Sequence, residues 1–144
     1  MAASILSPEM EERRFGRSIG SVTDLFDFVD GFADRYGIPG DAAFDLRLAL
    51  EELFTNMVKY HPEGGETILV RLEREGSSVR ATLQDFEVDS WDVTRAPEPD
   101  LETPAEARRP GGMGLHLVRK VTDELRYEYR DRSSTITVTK RLGS

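Results

Sequence analysis

The run Glu52-Leu53-Phe54-Thr55-Asn56 carries a carboxylate and a carboxamide four residues apart. On a helix turning about 100° per residue the two become neighbours on one face. Side by side they can hold a hydroxyl or a water for proton transfer and offer oxygen to a hard cation such as Mg²⁺. An isolated Glu-x-x-x-Asn is also what the solvated boundary of an amphipathic helix looks like, and Glu51 and Lys59 read as such surface. A second group is Gly111-Gly112-Met113-Gly114. Residues without a Cβ let the backbone approach a ligand, and the free N–H groups of a following helix favour phosphate oxygens; a flexible hinge has the same composition. The third is Asp85, whose carboxylate can accept from an exocyclic amine such as that of adenine, or can simply end a strand. His61 and His116 form no metal-ligand pattern, and no serine sits in a nucleophile motif. Trp91 reads equally as a packing anchor or a partner contact. Arg108-Arg109 stands just ahead of the glycines, where it suits a terminal phosphate or plain solvent.

The elements that must position these groups follow from hydrophobic spacing. A weak edge-strand signal covers Arg14 to Ser21. Val22, Leu25, Phe26, Val29, Phe32 and Ala33 recur at helical steps and predict a helix to Tyr36, ended by Gly37 and Pro39-Gly40. Asp41 is placed to cap a second helix with the stripe Leu46, Leu50, Leu53 and Met57, which Pro62 and Gly64-Gly65 stop. Thr67 to Leu72 and Val79 to Leu83 form a β-hairpin around Glu75-Gly76-Ser77-Ser78. Between Glu87 and Pro110 four prolines punctuate an acidic stretch, read as a lid between structured flanks. Leu115 opens a third helix to about Asp123, with Leu117, Val118 and Val121 on its apolar side. Strands at Leu125 to Tyr129 and Thr135 to Thr139 close the chain around Asp131-Arg132-Ser133-Ser134. This order predicts an α+β two-layer sandwich, with the helices on one face of a mixed, mostly antiparallel sheet.

At 144 residues the chain suits a single domain over 1–144, with a flexible segment at 1–12 and the lid at 87–110. A net charge of −8 and a pI near 4.8 argue against nucleic acid or an anionic membrane as the main partner. The absence of cysteine removes disulfides, thiolate zinc and cysteine nucleophiles. With no long apolar run and no basic, apolar leader at Met1 to Glu9, the expected compartment is the cytoplasm.

Taken in order, Glu52 with Asn56, then Asp85, the lid, and Gly111-Gly112-Met113-Gly114 resemble the N box, G1 box, lid and G2 box of the GHKL (Bergerat-type) ATP-binding fold. The chain is most similar to the small bacterial anti-sigma factors that are also serine/threonine kinases. That likeness runs from about Arg14 to Leu142. It includes Ala49 to Asn56, Gly111 to Lys120 and Asp123 to Arg130. The resemblance implies ATP and Mg²⁺ as cofactors, with Asn56 holding the metal and Glu52 as general base toward a serine hydroxyl. Asp85 would read the adenine amine, while Gly111, Gly112, Met113, Gly114 and Leu115 would cradle the phosphates. It further implies a STAS-type anti-sigma-factor antagonist as substrate, a sigma factor as competing partner, and a homodimer. Phosphorylation would release the antagonist by adding charge where it docks.

One departure stands out. The G1 pattern, Asp-x-Gly followed two residues on by Gly or Pro, here reads Asp85-Phe86-Glu87-Val88-Asp89. Acids at both turn positions would narrow the site and repel phosphate, so nucleotide binding is expected to persist with weakened affinity. A non-catalytic protein of the same fold that sequesters a regulator is the alternative. A sensor histidine kinase fits worse, since His116 lies in the G2 helix, the wrong place for a phospho-acceptor.

Overall fold

The computed structural model describes residues 9–60, 64–86, 88 and 112–142. Gly111 and the expected lid, apart from Val88, lie outside the described residues. Strand β1 (Glu9–Gly16) leads through a short 3-10 turn (Ile19–Ser21) into helices α1 (Val22–Tyr36) and α2 (Gly40–Tyr60). Strands β2 (Thr67–Glu75) and β3 (Ser78–Phe86) form a hairpin, and α3 (Gly112–Val121), β4 (Glu124–Arg130) and β5 (Ser133–Arg141) follow. One five-stranded sheet has the order β1-β2-β3-β5-β4, and all four neighbouring pairs are antiparallel. The expected α+β sandwich is thus present, with a sheet antiparallel throughout. Among the described residues no helix is long and apolar enough to cross a membrane.

Strand alternation builds the core. Ile68, Val70 and Leu72 of β2, Val79, Ala81 and Leu83 of β3, and Ile136 and Val138 of β5 are buried, because successive side chains of a strand point to opposite faces. The helices cover this face. Helix α1 buries Leu25, Phe28, Val29, Phe32 and Ala33 and ends where Gly37 adopts φ 67°, the left-handed conformation glycine tolerates. The spacing of α1 is as expected, but Phe28 faces the core in place of Phe26, over whose ring the guanidinium of Arg47 lies at 5.8 Å. Phe28 is selected because its ring meets Phe15 edge-on, centroids 5.5 Å apart.

Helix α2 buries the predicted Leu46, Leu50, Leu53 and Met57, and also Ala42, Ala43, Ala49 and Phe54. Its burial exceeds one stripe because α2 packs against both α1 and α3. It starts one residue before the expected cap, at Gly40, and Asp41 Oδ1 accepts from Ala42 N at 2.9 Å inside the first turn.

Three further boundaries differ from expectation. Strand β1 begins at Glu9 and ends at Gly16, so Glu9 to Glu12, expected to be flexible, pair with β2 residues Arg71 to Arg74. Six of its eight residues are exposed, and the charges at Glu9, Glu12, Arg13 and Arg14 suit a sheet edge but erase the alternation by which a strand is recognised. Helix α3 starts at Gly112, since glycines followed by a free helix N-terminus are compatible with the first turn itself. The β4–β5 turn contains only Asp131 and Arg132, at φ 51° and 61°, and Ser133 and Ser134 already belong to β5. Two consecutive residues of positive φ match the right-handed twist of the flanking strands.

Candidate functional site

Asp85 lies on the core side of β3 because the alternation that buries Val79, Ala81 and Leu83 puts the next odd position on the same face. Its exposure is 0%. Ser134, directly opposite on β5, continues the inward phase of Ile136 and Val138 and is also buried. Directly opposed residues of an antiparallel pair have Cβ atoms about 5 Å apart. A carboxylate and a hydroxyl therefore stand together in an otherwise apolar layer.

Asn56 is the third member. Only 2% of it is exposed, so the reading of Asn56 as a solvated boundary residue fails; the packing of α2 against its neighbours covers that flank. Glu52, one turn earlier, stays half-buried. Partial burial raises the pKa of its carboxyl above the usual carboxylate range; Lys59 pulls it down and Glu51 adds to the rise. A carboxyl moved in that direction is a better base near neutral pH.

Arg17, which the sequence analysis did not single out, ties these pieces together. Its Nη2 donates to Asp85 Oδ1, Nη1 donates to Met57 O at 3.1 Å, and Nε donates to Gly65 O at 2.6 Å. One guanidinium thus joins the C-terminal turn of α2, adjacent to Asn56, with the end of β3. It is placed by Phe15, whose ring packs edge-on against Phe54 at 6.4 Å two residues earlier. The backbone holds it further, since Arg17 N donates to Glu66 O at 3.0 Å and Gly65 N to Phe86 O at 2.8 Å. Gly64, expected only as a helix stop, leaves room for the guanidinium, because a Cβ there would collide with it.

Among the described residues, Asn56 Nδ2, Asp85 Oδ2 and Ser134 Oγ are buried with no hydrogen-bond partner. Buried polar groups are normally satisfied, and leaving one unpaired costs about 1–3 kcal/mol. Asn56 Nδ2 on α2 and the directly opposed Asp85 Oδ2 and Ser134 Oγ on the sheet leave hydrogen-bonding capacity available to a ligand.

The predicted glycine-rich residues Gly112, Met113, Gly114 and Leu115 occupy the first turn of α3, which packs beside α2. Gly111 lies outside the described residues, as do Glu87 and Asp89 of the altered G1 segment. Val88 is buried and tied to the β4–β5 hairpin, its N–H donating to Arg132 O at 3.0 Å and its carbonyl accepting from Tyr129 Oη at 2.8 Å. Ser134 was legible in principle, since it falls in phase with Ile136 and Val138. The Arg17–Asp85 contact spans 68 positions and leaves no local signal.

A sequence profile of the family described as Histidine kinase-like ATPase domain matches residues 17–140. The chain is 28% identical over 128 residues to the Serine-protein kinase RsbW of Listeria monocytogenes serovar 1/2a, covering 80% of this chain and 76% of that one. With the Serine-protein kinase RsbW of Bacillus cereus strain ATCC 10987 it shares 28% identity over 114 residues, covering 76% of this chain and 71% of that one. The crystal structure of the RsbU and RsbW domains of a Mycobacterium tuberculosis protein superposes with a TM-score of 0.67 at 18% identity. That superposition covers 92% of this chain and 32% of the longer one, and it speaks to the fold.

Proposed function

The chain belongs to the family of histidine kinase-like ATPase domains, and we propose that it is an ATP- and Mg²⁺-dependent serine kinase acting on a small protein in a partner-switching pair. The observation that carries the nucleotide part of this reading is the pair of unpartnered, buried polar atoms Asp85 Oδ2 and Ser134 Oγ, directly opposed on the sheet. The relatives named serine-protein kinase support the same assignment.

Bound Mg²⁺-ATP would supply the transferable phosphoryl group and neutralise its charge. Asn56 would hold the metal through its carboxamide oxygen, a ligand of the hard-oxygen kind Mg²⁺ takes. Asp85 Oδ2 would accept from the adenine amine, and the first turn of α3, from Gly112 to Leu115, would direct backbone N–H groups at phosphate. Glu52, beside Asn56 at i and i+4, would take the proton of a serine hydroxyl as that oxygen bonds to the γ-phosphorus and ADP departs. The acceptor serine belongs to a STAS-type anti-sigma-factor antagonist, and a sigma factor is the competing partner. The protein acts in the cytoplasm as a homodimer, and 1–144 is one domain with 87–110 as its lid.

Calorimetry with ATP and Mg²⁺, followed by detection of phosphoserine on a STAS-type protein, tests this reading. Absence of binding at near-millimolar protein would end it. A second reading, sequestration of a regulator without catalysis, is favoured by the altered G1 segment Asp85-Phe86-Glu87-Val88-Asp89, which carries acids where turn residues are expected. Partner capture indifferent to ATP, ADP and chelator would support that alternative.

A further inference from the structure

Resting on the nucleotide reading above, the geometry points to a role for Arg17 that goes beyond it. We propose that Arg17 is the positioning residue for nucleobase selection: by engaging Asp85 Oδ1 it keeps the carboxylate charged and leaves Oδ2 as the acceptor for an exocyclic amine of the base.

The argument begins with burial. A carboxyl group with 0% exposure on an apolar sheet face is driven toward its neutral, proton-donating form. A neutral Asp85 would offer an O–H and would suit a keto oxygen as well as an amine. An adjacent guanidinium reverses that preference, because an opposite charge favours the anion and an anionic carboxylate only accepts. Arg17 is 10% exposed and is itself held by the carbonyls of Met57 and Gly65, so its charge is fixed in place. The fork takes one carboxylate oxygen and leaves the other unpartnered and buried, opposite the unpartnered hydroxyl of Ser134. Gly64 fits the same account, since any side chain there would push the guanidinium away.

Other charged and titratable groups stand on the surrounding elements: Glu51 and Lys59 lie on α2, and His116, Arg119 and Lys120 lie on α3, which packs against it. Helix α2 carries Glu52 one turn before Asn56, and Glu66 precedes β2. On β1 Arg14 stacks over the ring of Phe86 at 5.1 Å, and Asp131 and Arg132 form the β4–β5 turn. Arg17 is the one whose bond to the Asp85 carboxylate is seen.

The test compares ATP with inosine triphosphate, which replaces the exocyclic amine by a keto oxygen, using calorimetry on the full chain from about pH 6 to about pH 9. Wild type should prefer ATP by about tenfold or more, with a ratio flat across that range. Arg17→Met should bring the two nucleotides to within about threefold at the acid end, with the ATP preference returning as pH rises and Asp85 ionises. Arg17→Lys, which restores the charge, should recover the preference. A merely structural arginine would leave the ratio and its pH profile unchanged, and that result overturns the proposal.

If Arg17→Met does not fold, the wild-type Asp85 carboxyl carbon, followed by NMR, decides. It should keep the chemical shift of an ionised carboxylate from about pH 5 to about pH 9, and the shift of a protonated carboxyl anywhere in that range overturns the proposal. A folded wild type that binds neither nucleotide removes the kinase reading and base selection together. Binding with equal ratios in wild type and Arg17→Met removes the role of Arg17 alone.

Discussion

Arg17 donates to Asp85 across 68 positions of chain, and the carboxylate it meets is wholly sealed from solvent. Removing one partner of such a pair strands the other in a sealed site, at the cost either of an uncompensated charge or of protonating it. Arg17→Met is therefore expected to lower stability by about 3–5 kcal/mol in urea unfolding. The double variant Arg17→Met/Asp85→Leu should regain most of that loss, because the stranded carboxylate is gone. A single variant within about 1 kcal/mol of wild type would show that the pair is not formed in solution.

Gly64 and Arg17 should be coupled energetically. A Cβ at position 64 runs into the guanidinium, which three hydrogen bonds prevent from swinging clear. Gly64→Ala should destabilise the wild type by about 1 kcal/mol more than it destabilises Arg17→Met. A double-mutant cycle by denaturant unfolding measures the difference, and additivity would separate the two sites.

Glu52 carries the chemical step of the proposed transfer. Glu52→Gln removes the base but keeps shape and polarity, so phosphoserine formation should fall by about 10²–10⁴-fold while ATP affinity changes less than about threefold. Parallel loss of binding and transfer would assign Glu52 to the nucleotide and not to the proton.

The raised Glu52 carboxyl also fixes a sign for stability against pH. Partial burial favours the protonated form in the folded state, so above the ordinary carboxyl value of 4.5 the native chain binds more of a proton than the unfolded chain. Stability contributed at this position is full below 4.5 and is lost as pH rises through the raised value. Thermal unfolding of Glu52→Gln against wild type should show the variant gaining relative stability across that window. A constant difference would mean that the carboxyl titrates alike in both states.

Asn56 is expected to trade stability for binding. Its Nδ2 is buried without a partner, so Asn56→Leu, similar in size, should leave the ligand-free protein equally stable or more stable by up to about 2 kcal/mol. The same change should abolish Mg²⁺-dependent ATP binding. Retained Mg²⁺ dependence in calorimetry would take Asn56 out of the metal site.

Much of this molecule was legible from local pattern. Val22 to Tyr36 announced α1 at helical spacing, Leu46, Leu50, Leu53 and Met57 announced α2, and alternation around Gly76 announced the β2–β3 hairpin, since these periods are imposed by the backbone geometry of each element alone. The pairing of Glu52 with Asn56 and the strand-end place of Asp85 were readable for the same reason. Strand β1 was only half visible, because an edge strand with charges on both faces has no period to read, and its residues Glu9 to Glu12 become a strand only by pairing with β2. What tertiary structure alone decided is that Asn56 is buried while Glu52 is not, that Ser134 stands opposite Asp85, and that Arg17 reaches the carboxylate. These depend on which surfaces pack together and on contacts between residues far apart in the chain. Spacing along a sequence specifies the face of an element, but charge pairing across 68 residues exists only once the sheet and helices have met.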